Sequence, residues 1–390
     1  MNILFFINRY PNYGGTEKVT SVLANYFAEK GYGVTLVSCD QPEPDANELS
    51  AKVKFFAMGQ PVKSKKNIQQ LHNILINQNV DLLINQFCLP YYSNQLCKSA
   101  MKDTNAKLIS VLHGVPDRSK IVINAENEVK YAGSLISKFF LTCKLLIIDW
   151  IVKSSIKYVY RNSDSYVVLS NGFIKKFQDY TGLKTTDKLL SIGNPITIPT
   201  QYSSSIVSAK KKQILYVGRM DITNKNVNRI LNTWKLLYAD YPDWNLCLVG
   251  GGPDLETLKK QAEADSLERV IFTGFVKNEP IQYYKDSTIL MLTSDLEGFG
   301  LVVVEGMSYG VIPVVYGSYV SIYDMIENGK HGYITPKPFS AEITASHLRG
   351  LMSNECICKQ MASAAIERSK FFSIESVCEQ WESLFNKLLQ

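Results

Sequence analysis

The feature that most constrains this sequence is a regular alternation of short apolar runs, rich in β-branched residues, with segments of helical periodicity. Runs of this kind fit strands buried on both faces, and helices that return the chain between them produce a parallel sheet covered on both sides. The alternation therefore predicts an α/β fold. Eleven runs are expected to form strands: 3–7, 34–39, 53–57, 82–84, 108–112, 166–169, 214–217, 246–249, 270–273, 289–292 and 312–315.

The length of the chain predicts two domains, because 390 residues exceed what one compact core usually holds. A serine- and lysine-rich segment without periodicity, 202–212, separates the two series of runs and is typical of a linker. We predict domains at 1–200 and 201–372, followed by an amphipathic helix at 373–390. Ligands of such α/β domains bind at the carboxyl ends of the strands.

Composition excludes several classes of protein. Hydrophobic residues make up 46% and charged residues 20%, as in ordinary globular proteins. The eight cysteines form no CxxC pair, which argues against structural zinc and favours free thiols in a reducing, cytoplasmic compartment. The N-terminal apolar run is too short for a signal peptide, and no apolar stretch is long enough to span a membrane. The net charge of +6 fits an anionic ligand or membrane surface and does not by itself indicate nucleic acid.

The most informative segment is 294–310, which follows a predicted strand, turns through two glycines and opens a helix. Backbone N–H groups at such a turn attract phosphate. Glu297 is expected in the turn and Glu305 two turns into the helix, about 12 Å apart at the helical rise. That separation suits the hexose and ribose ends of a nucleotide sugar and is too long for a glycosidase pair, which needs about 5–9.5 Å. The alternative is a solvated helix with two surface glutamates.

Charged residues after other strands add to this pattern. Arg219 lies two residues after a predicted strand and Lys225 comes six residues later, so both are candidates to stabilise a leaving diphosphate. His113 ends a buried strand, and Gly14 and Gly15 lie at the turn before the first helix. The alternatives are a surface arginine, a solvated lysine, a structural histidine and a simple tight turn.

Three nucleotide motifs do not fit. No P-loop pattern occurs, which excludes a P-loop nucleotide hydrolase. No Asp-x-Asp pair occurs to hold a diphosphate-bound cation, so we predict no metal requirement. The run 250–255 begins like a dinucleotide fingerprint, but Leu255 stands where the third glycine belongs. We interpret it as a strand-to-helix turn.

Together these segments resemble the family 4 glycosyltransferases of the GT-B fold. The resemblance rests on Glu-x7-Glu and on 217–220, 249–254, 272–276, 310–315 and 328–332, with 14–15 and 111–114 in the first half. It implies two Rossmann-like domains facing a central cleft: an acceptor-binding first domain to which the C-terminal helix returns, and a nucleotide-sugar-binding second domain. The implied reaction is retaining transfer of a hexosyl group, without a cofactor, from a UDP-sugar or GDP-sugar to a glycan or lipid-linked acceptor of cell-surface polysaccharide synthesis.

The resemblance also implies roles for individual residues. Glu305 would bind the ribose, Glu297 the donor sugar, and Arg219 with Lys225 the diphosphate, while His113 would contact the transferred sugar. The glycines at 14–15 and the amides at 300–302 would approach phosphate, and 275–276 would flank the base. The predicted catalytic residues are His113, Glu297, Arg219 and Lys225; the predicted donor-binding residues are Gly14, Gly15, Arg219, Lys225, Phe275, Val276, Glu297, Gly298, Phe299, Gly300, Leu301, Val302 and Glu305.

Two departures from the family pattern are visible. Gly306 stands where the family usually has alanine, and an apolar and basic insertion occupies 125–161. Within the insertion, the run 139–152 is too short to span a bilayer and is flanked by lysines, so it is predicted to lie at the inner membrane surface. The alternative is a core helix packed under the sheet.

Two other functions remain open at this stage. A nucleotide-sugar 2-epimerase could use the same fold without an acceptor. A non-catalytic nucleotide-sugar-binding protein is the other, although the complete set of charged residues argues against it.

Overall fold

The computed structural model describes residues 1–200, 202, 210–276 and 280–390. Most of the predicted linker 202–212 therefore lies outside the described residues. The chain divides into two compact units, one formed by Met1–Asn194 with Val377–Gln390 and the other by Pro195–Ser376. The divisions thus fall a few residues from those predicted at 200 and 372.

The first unit contains a seven-stranded sheet in the order β3-β2-β1-β4-β5-β6-β7, with every pair parallel. All six strands predicted for it are present. The seventh was not predicted, since three residues at a sheet edge are too few for a recognisable pattern. The strands are β1 Asn2–Arg9, β2 Gly33–Asp40, β3 Lys54–Ala57, β4 Leu82–Asn85, β5 Lys107–Leu112, β6 Ser165–Val168 and β7 Leu189–Ser191.

The second unit contains a six-stranded parallel sheet in the order β10-β9-β8-β11-β12-β13. The five predicted strands are present, and the short edge strand β13 was again not predicted. The strands are β8 Lys211–Val217, β9 Asn245–Val249, β10 Val270–Gly274, β11 Ser287–Leu292, β12 Ile312–Tyr316 and β13 Tyr333–Thr335.

Helices connect the strands, as parallel pairing requires. Those of the first unit are α1 Gly15–Glu29, α2 Lys65–Asn77, α3 Tyr92–Ala100, α4 Lys120–Lys130, α5 Leu135–Arg161 and α6 Asn171–Thr181. Those that follow are α7 Val227–Lys235, α8 Leu255–Ala264, α9 Ile281–Asp286, α10 Leu301–Ser308, α11 Ile322–Met325, α12 Ala341–Met352, α13 Glu355–Ser369 and α14 Ile374–Leu389.

The C-terminal helix α14 packs on α1, although the two are far apart in sequence. The ring centroids of Phe27 and Phe385 lie 5.4 Å apart, and Lys30 Nζ lies 3.0 Å from a carboxylate oxygen of Glu382. The apolar stripe of α14 is therefore buried within the first unit, as the resemblance implied.

Both sheets reverse their strand order at one point, between β1 and β4 in the first unit and between β8 and β11 in the second. Loops leaving such neighbouring strands run to opposite faces of the sheet and open a crevice at the carboxyl edge. Each unit therefore has one favoured position for a ligand.

The predicted apolar run 139–152 lies within α5, a helix of 27 residues. The core-helix alternative is wrong for much of this run, because Phe139, Phe140 and Trp150 are 66–67% exposed. Among the described residues, no helix is both long and apolar enough to cross a membrane.

Candidate functional site

Two loops meet where the second sheet reverses its strand order: loop 218–226 after β8 and loop 293–300 after β11. Asp295 N donates to Asn224 O at 2.8 Å, and Thr293 Oγ1 donates to Asn226 O at 3.0 Å. Asn226 adopts a left-handed conformation with φ +50° and donates from its amide to Asp295 Oδ2 at 3.0 Å. These three hydrogen bonds hold the two loops against each other.

Lys225 and Glu297 lie at the centre of this junction. Lys225 Nζ is 2.5 Å from Glu297 Oε1, and the side chains are 23% and 13% exposed. The prediction that both belong to one site therefore has a geometric basis, although their pairing was not predicted. An ammonium has three N–H donors and a carboxylate about four acceptor positions, so both groups retain capacity for a ligand.

Arg219 is held by a residue that the sequence analysis missed, Asp221. The guanidinium donates to Asp221, which is buried and also accepts at 2.8 Å from Asn224 N and from Thr223 N and Oγ1. Burial by itself would raise the pKa of Asp221, but the hydrogen bonds from Asn224 and Thr223 and the contact with Arg219 outweigh it and hold that pKa well below its usual range. Arg219 remains 58% exposed and can donate to another anion.

Loop 293–300 ends at Gly300, which has φ +98° and caps the N-terminus of α10. A Cβ at this position would lie 3.0 Å from the Tyr319 hydroxyl, so glycine suits both the backbone conformation and the available space. The first N–H groups of a helix, here those of Leu301 and Val302, have no acceptor within the helix. Gly298 and the buried Phe299 form the turn between Glu297 and this helix. The predicted residues 298–302 thus connect the Lys225–Glu297 pair to the N–H groups that open α10.

Glu305 lies one turn into α10 rather than two, because the helix begins only at Leu301. The 12 Å distance derived from helical rise therefore does not apply to Glu297 and Glu305. Glu305 is 6% exposed and accepts from Thr197 Oγ1 at 2.7 Å and from Tyr284 OH at 3.1 Å. The alternative of a solvated helix with two surface glutamates is wrong.

Two buried hydroxyl groups near this loop lack a hydrogen-bond partner within the described part of the chain, those of Ser294 and Tyr319. Burial, with the charge of Glu297 as a second cause, raises the pKa of Tyr319 well above its ordinary value. Its hydroxyl therefore stays protonated and can donate. The sequence analysis singled out neither hydroxyl, since neither belongs to a recognisable motif.

The glycine run after β9 has a packing role, in agreement with its interpretation as a strand-to-helix turn. A Cβ on Gly250 would lie 1.9 Å from Gly218 O, and one on Gly252 would lie 2.4 Å from Met220 O. Without side chains, these glycines let the backbone of residues 250–252 approach loop 218–226 closely. Nearby, Phe275 is exposed and Val276 half-buried after β10, and their contact with a base stays a prediction.

In the first unit, Gly14 is the N-cap of α1 and Gly15 its first residue, directly following the loop after β1. His113 follows β5, and its Nε2 lies 2.5 Å from Gln86 Oε1. An amide oxygen only accepts, so with the Gln86 amide in this orientation Nε2 is the donor. Partial burial of the ring lowers the pKa of His113 to about 4, and the imidazole is neutral at pH 7. Gln86 was not predicted as part of this constellation.

The match to known families covers most of the chain. A family model described as "Glycosyltransferase Family 4" matches residues 13–197, and one described as "Glycosyl transferases group 1" matches residues 200–368. An uncharacterized glycosyltransferase of Haemophilus influenzae is 26% identical over 97% of this chain and 98% of that protein. An amylovoran biosynthesis glycosyltransferase of Erwinia amylovora is 22% identical over 98% of this chain and 99% of that protein.

Solved structures show the same architecture. Anabaena HepE, in a complex with UDP and glucose, superposes with a TM-score of 0.73 at 18% identity, over 99% of this chain and 100% of that one. Matches along the whole chain, with two parallel-sheet units, lead to one conclusion. The chain belongs to the family 4 glycosyltransferases and is a glycosyltransferase of the GT-B fold.

Proposed function

We propose that this enzyme transfers a hexosyl group, with retention of configuration, from a nucleotide diphosphate sugar to a glycan or lipid-linked acceptor of cell-surface polysaccharide synthesis. A UDP-sugar is the preferred donor and a GDP-sugar the second choice. The observation that carries this proposal is the Lys225–Glu297 pair, half-buried beside the amides that open α10. This arrangement places positive charge, backbone donors and a carboxylate at one point of the sheet edge.

The diphosphate would be bound by positive groups of the second unit. Lys225 retains two N–H donors after pairing with Glu297, and the exposed part of Arg219 provides more. The amides of 300–302 add the partial positive charge of a helix N-terminus. Negative charge grows on the leaving diphosphate in the transition state, so these groups stabilise it more than the ground state. They would take the place of a divalent cation.

The hydroxyl groups of the donor would be bound by the two glutamates. Glu297 faces Lys225 with one oxygen and has acceptor positions left for sugar hydroxyls. Glu305 is already hydrogen-bonded to Thr197 and Tyr284, which hold its carboxylate in one orientation. A ribose hydroxyl would then meet a preorganised acceptor.

Retention is proposed to proceed by front-side displacement. The oxygen of the acceptor hydroxyl bonds to the anomeric carbon while the bond from that carbon to the phosphate oxygen breaks. The hydroxyl proton passes to the leaving phosphate oxygen. The first unit would bind the acceptor, with the neutral His113 contacting the transferred sugar.

The compartment and pathway are proposed from chemistry and relatives. All eight cysteines are free, which suits a cytoplasmic enzyme. The Erwinia relative is named for amylovoran biosynthesis, and Anabaena HepE binds UDP and glucose. The first supports a polysaccharide product, and the second supports a sugar donor carried by UDP.

A thermal-shift screen against UDP, GDP and their hexose conjugates tests the donor, because a ligand that binds only the folded state raises its melting temperature. We expect stabilisation by UDP and its sugars, with or without EDTA. Lys225→Gln should reduce the shift without abolishing it, whereas Lys330→Gln, another lysine paired with a glutamate, should leave it unchanged. Stabilisation by no nucleotide would refute the proposal.

Product analysis tests the reaction. NMR of the product with an alkyl glycoside acceptor should show the anomeric configuration of the donor, and activity should survive excess EDTA. An inverted product would exclude retention, and activity that requires manganese or magnesium would exclude the metal-independent mechanism. An epimerised nucleotide sugar formed without an acceptor would identify an epimerase instead.

A further inference from the structure

Helix α5 is apolar on two sides but covered on only one. It packs on α4 and α6, which is shown by the contacts of Lys144 with Glu128 and of Tyr180 with Asp149, each at 2.6 Å. The apolar side chains on this covered side are half-buried: Leu141, Leu145, Ile148 and Val152. Together with the buried Ile156, Val159 and Tyr160 they attach the helix to its unit, and the apolar residues on its other side take no part in this packing.

The uncovered side carries an exposed stripe, which we define as Leu135, Ile136, Phe139, Phe140, Cys143, Leu146, Ile147, Trp150 and Ile151. At about 100° per residue these side chains share an arc of roughly 160°, and at the helical rise they extend over about 24 Å. Single exposed apolar side chains are ordinary, but a continuous surface of this size marks an interaction site.

Cations follow the stripe on the same side of the helix. The spacing of Lys157 and Arg161 places them on the arc of the stripe, about two and three turns beyond its end. Lys153 lies at the edge of that arc, where its ammonium is 5.6 Å from the centroid of the Tyr180 ring of α6. Residues 120–161 contain seven basic and three acidic side chains. The three acidic ones already have partners: Glu126 contacts Arg118, Glu128 contacts Lys144, and Asp149 accepts from Tyr180.

We propose that the exposed stripe of α5 inserts into the interface of a bilayer that contains anionic phospholipid, with Lys153, Lys157 and Arg161 on the headgroups. An apolar face with adjoining lysines is what an interfacial helix requires. A second copy of this surface would bring like charges together, because the three acidic side chains of 120–161 are already paired, which disfavours a dimer through the stripe. A stripe of about 24 Å is shorter than the hydrocarbon core of about 30 Å, so the helix lies in the plane of the membrane. This inference goes beyond the transfer reaction and does not depend on it.

Tryptophan fluorescence tests the insertion without added labels. Of the four tryptophans only Trp150 is exposed, since Trp234, Trp244 and Trp381 are at most 3% accessible. Vesicles of phosphatidylglycerol and phosphatidylethanolamine should shift the emission to the blue, and brominated acyl chains should quench it. The protein should bind vesicles of pure phosphatidylcholine at least 10-fold more weakly than the anionic vesicles. Added salt should lower its affinity for the anionic vesicles.

Two variants separate the apolar and the charged contributions. Ile136→Gln with Phe140→Gln and Ile147→Gln should lower the vesicle affinity at least 10-fold. Lys153→Gln with Lys157→Gln should remove most of the salt dependence. The matched control is Ile343→Gln with Ile357→Gln, two exposed apolar residues of the second unit. All variants should keep the far-UV circular dichroism spectrum and the urea unfolding midpoint of the parent, which verifies their folding.

Three results would overturn the inference. One is the absence of vesicle binding by the folded protein. The second is vesicle binding that the stripe variant leaves unchanged. The third is a dimer in solution that the stripe variant dissociates while the parent binds no vesicles, which would assign the stripe to a second copy. If the protein binds vesicles but neither binds UDP nor transfers a sugar, that result counts against the proposed function and leaves this inference intact.

Discussion

Glu305→Gln provides the sharpest test of the donor site, because the substitution keeps the shape of the side chain and removes its charge. The carboxylate accepts from Thr197 and Tyr284, one hydroxyl on each oxygen. A glutamine has one acceptor oxygen, so one buried hydroxyl would face an NH2 group. If the carboxylate also accepts from the ribose, the variant loses a charge-assisted hydrogen bond worth roughly 1.5–3 kcal/mol. That corresponds to an increase in the Kd for UDP of about 10- to 150-fold.

The matched control is Tyr284→Phe. It removes one internal donor from the carboxylate and leaves the charge in place. We expect it to lower the free energy of unfolding by about 1 kcal/mol and to change the Kd for UDP by less than about threefold. Isothermal titration calorimetry gives the Kd, and urea denaturation gives the free energy of unfolding. If Glu305→Gln loses stability but binds UDP like the parent, the ribose assignment is refuted and Glu305 only holds α10 in place.

Three further predictions follow from the structure. Lys225→Gln should lower kcat more than it raises KM for the donor, because the diphosphate gains charge in the transition state, and a pure KM effect in steady-state kinetics would assign the lysine to binding alone. Gly306→Ala should raise the free energy of unfolding by about 0.5–1 kcal/mol in urea, because the added Cβ would lie at ordinary contact distances of 3.6–3.7 Å; a loss of stability would contradict this. The pKa of His113 is lowered by burial to about 4, so its neutral form contributes stability that is present above about pH 6.5 and lost as the pH falls through 4. Between pH 6.5 and 4 the free energy of unfolding, measured in urea, should fall less steeply for His113→Gln than for the parent. Equal slopes for variant and parent would refute the lowered pKa of His113.

Much of the fold could be predicted because buried parallel strands and amphipathic helices leave periodic patterns in sequence. All eleven predicted strands are present. The two that were missed, β7 and β13, are three-residue edge strands whose pairing depends on a neighbour already in place. The start of α10 was placed too early because a glycine turn and a first helical turn look alike without the backbone angles, and Gly300 has φ +98°.

The candidate site could be predicted only in part. Arg219, His113 and Gly15 could be proposed because each lies near the carboxyl end of a strand, where parallel sheets bind ligands. Their partners were not found, because partnership depends on which loops meet in space. Lys225 and its partner Glu297 are 72 residues apart. Gln86 reaches His113 only because β4 and β5 are neighbours in the sheet.

Helix α5 shows most directly where sequence ends and tertiary structure begins. The sequence by itself determined that 139–152 forms an apolar segment too short to span a bilayer, since composition and length suffice for that. A helix that is apolar all round does not reveal which side will be covered. Only the packing of α5 on α4 and α6 decided that, because those helices cover one side and leave the stripe with Trp150 exposed to solvent.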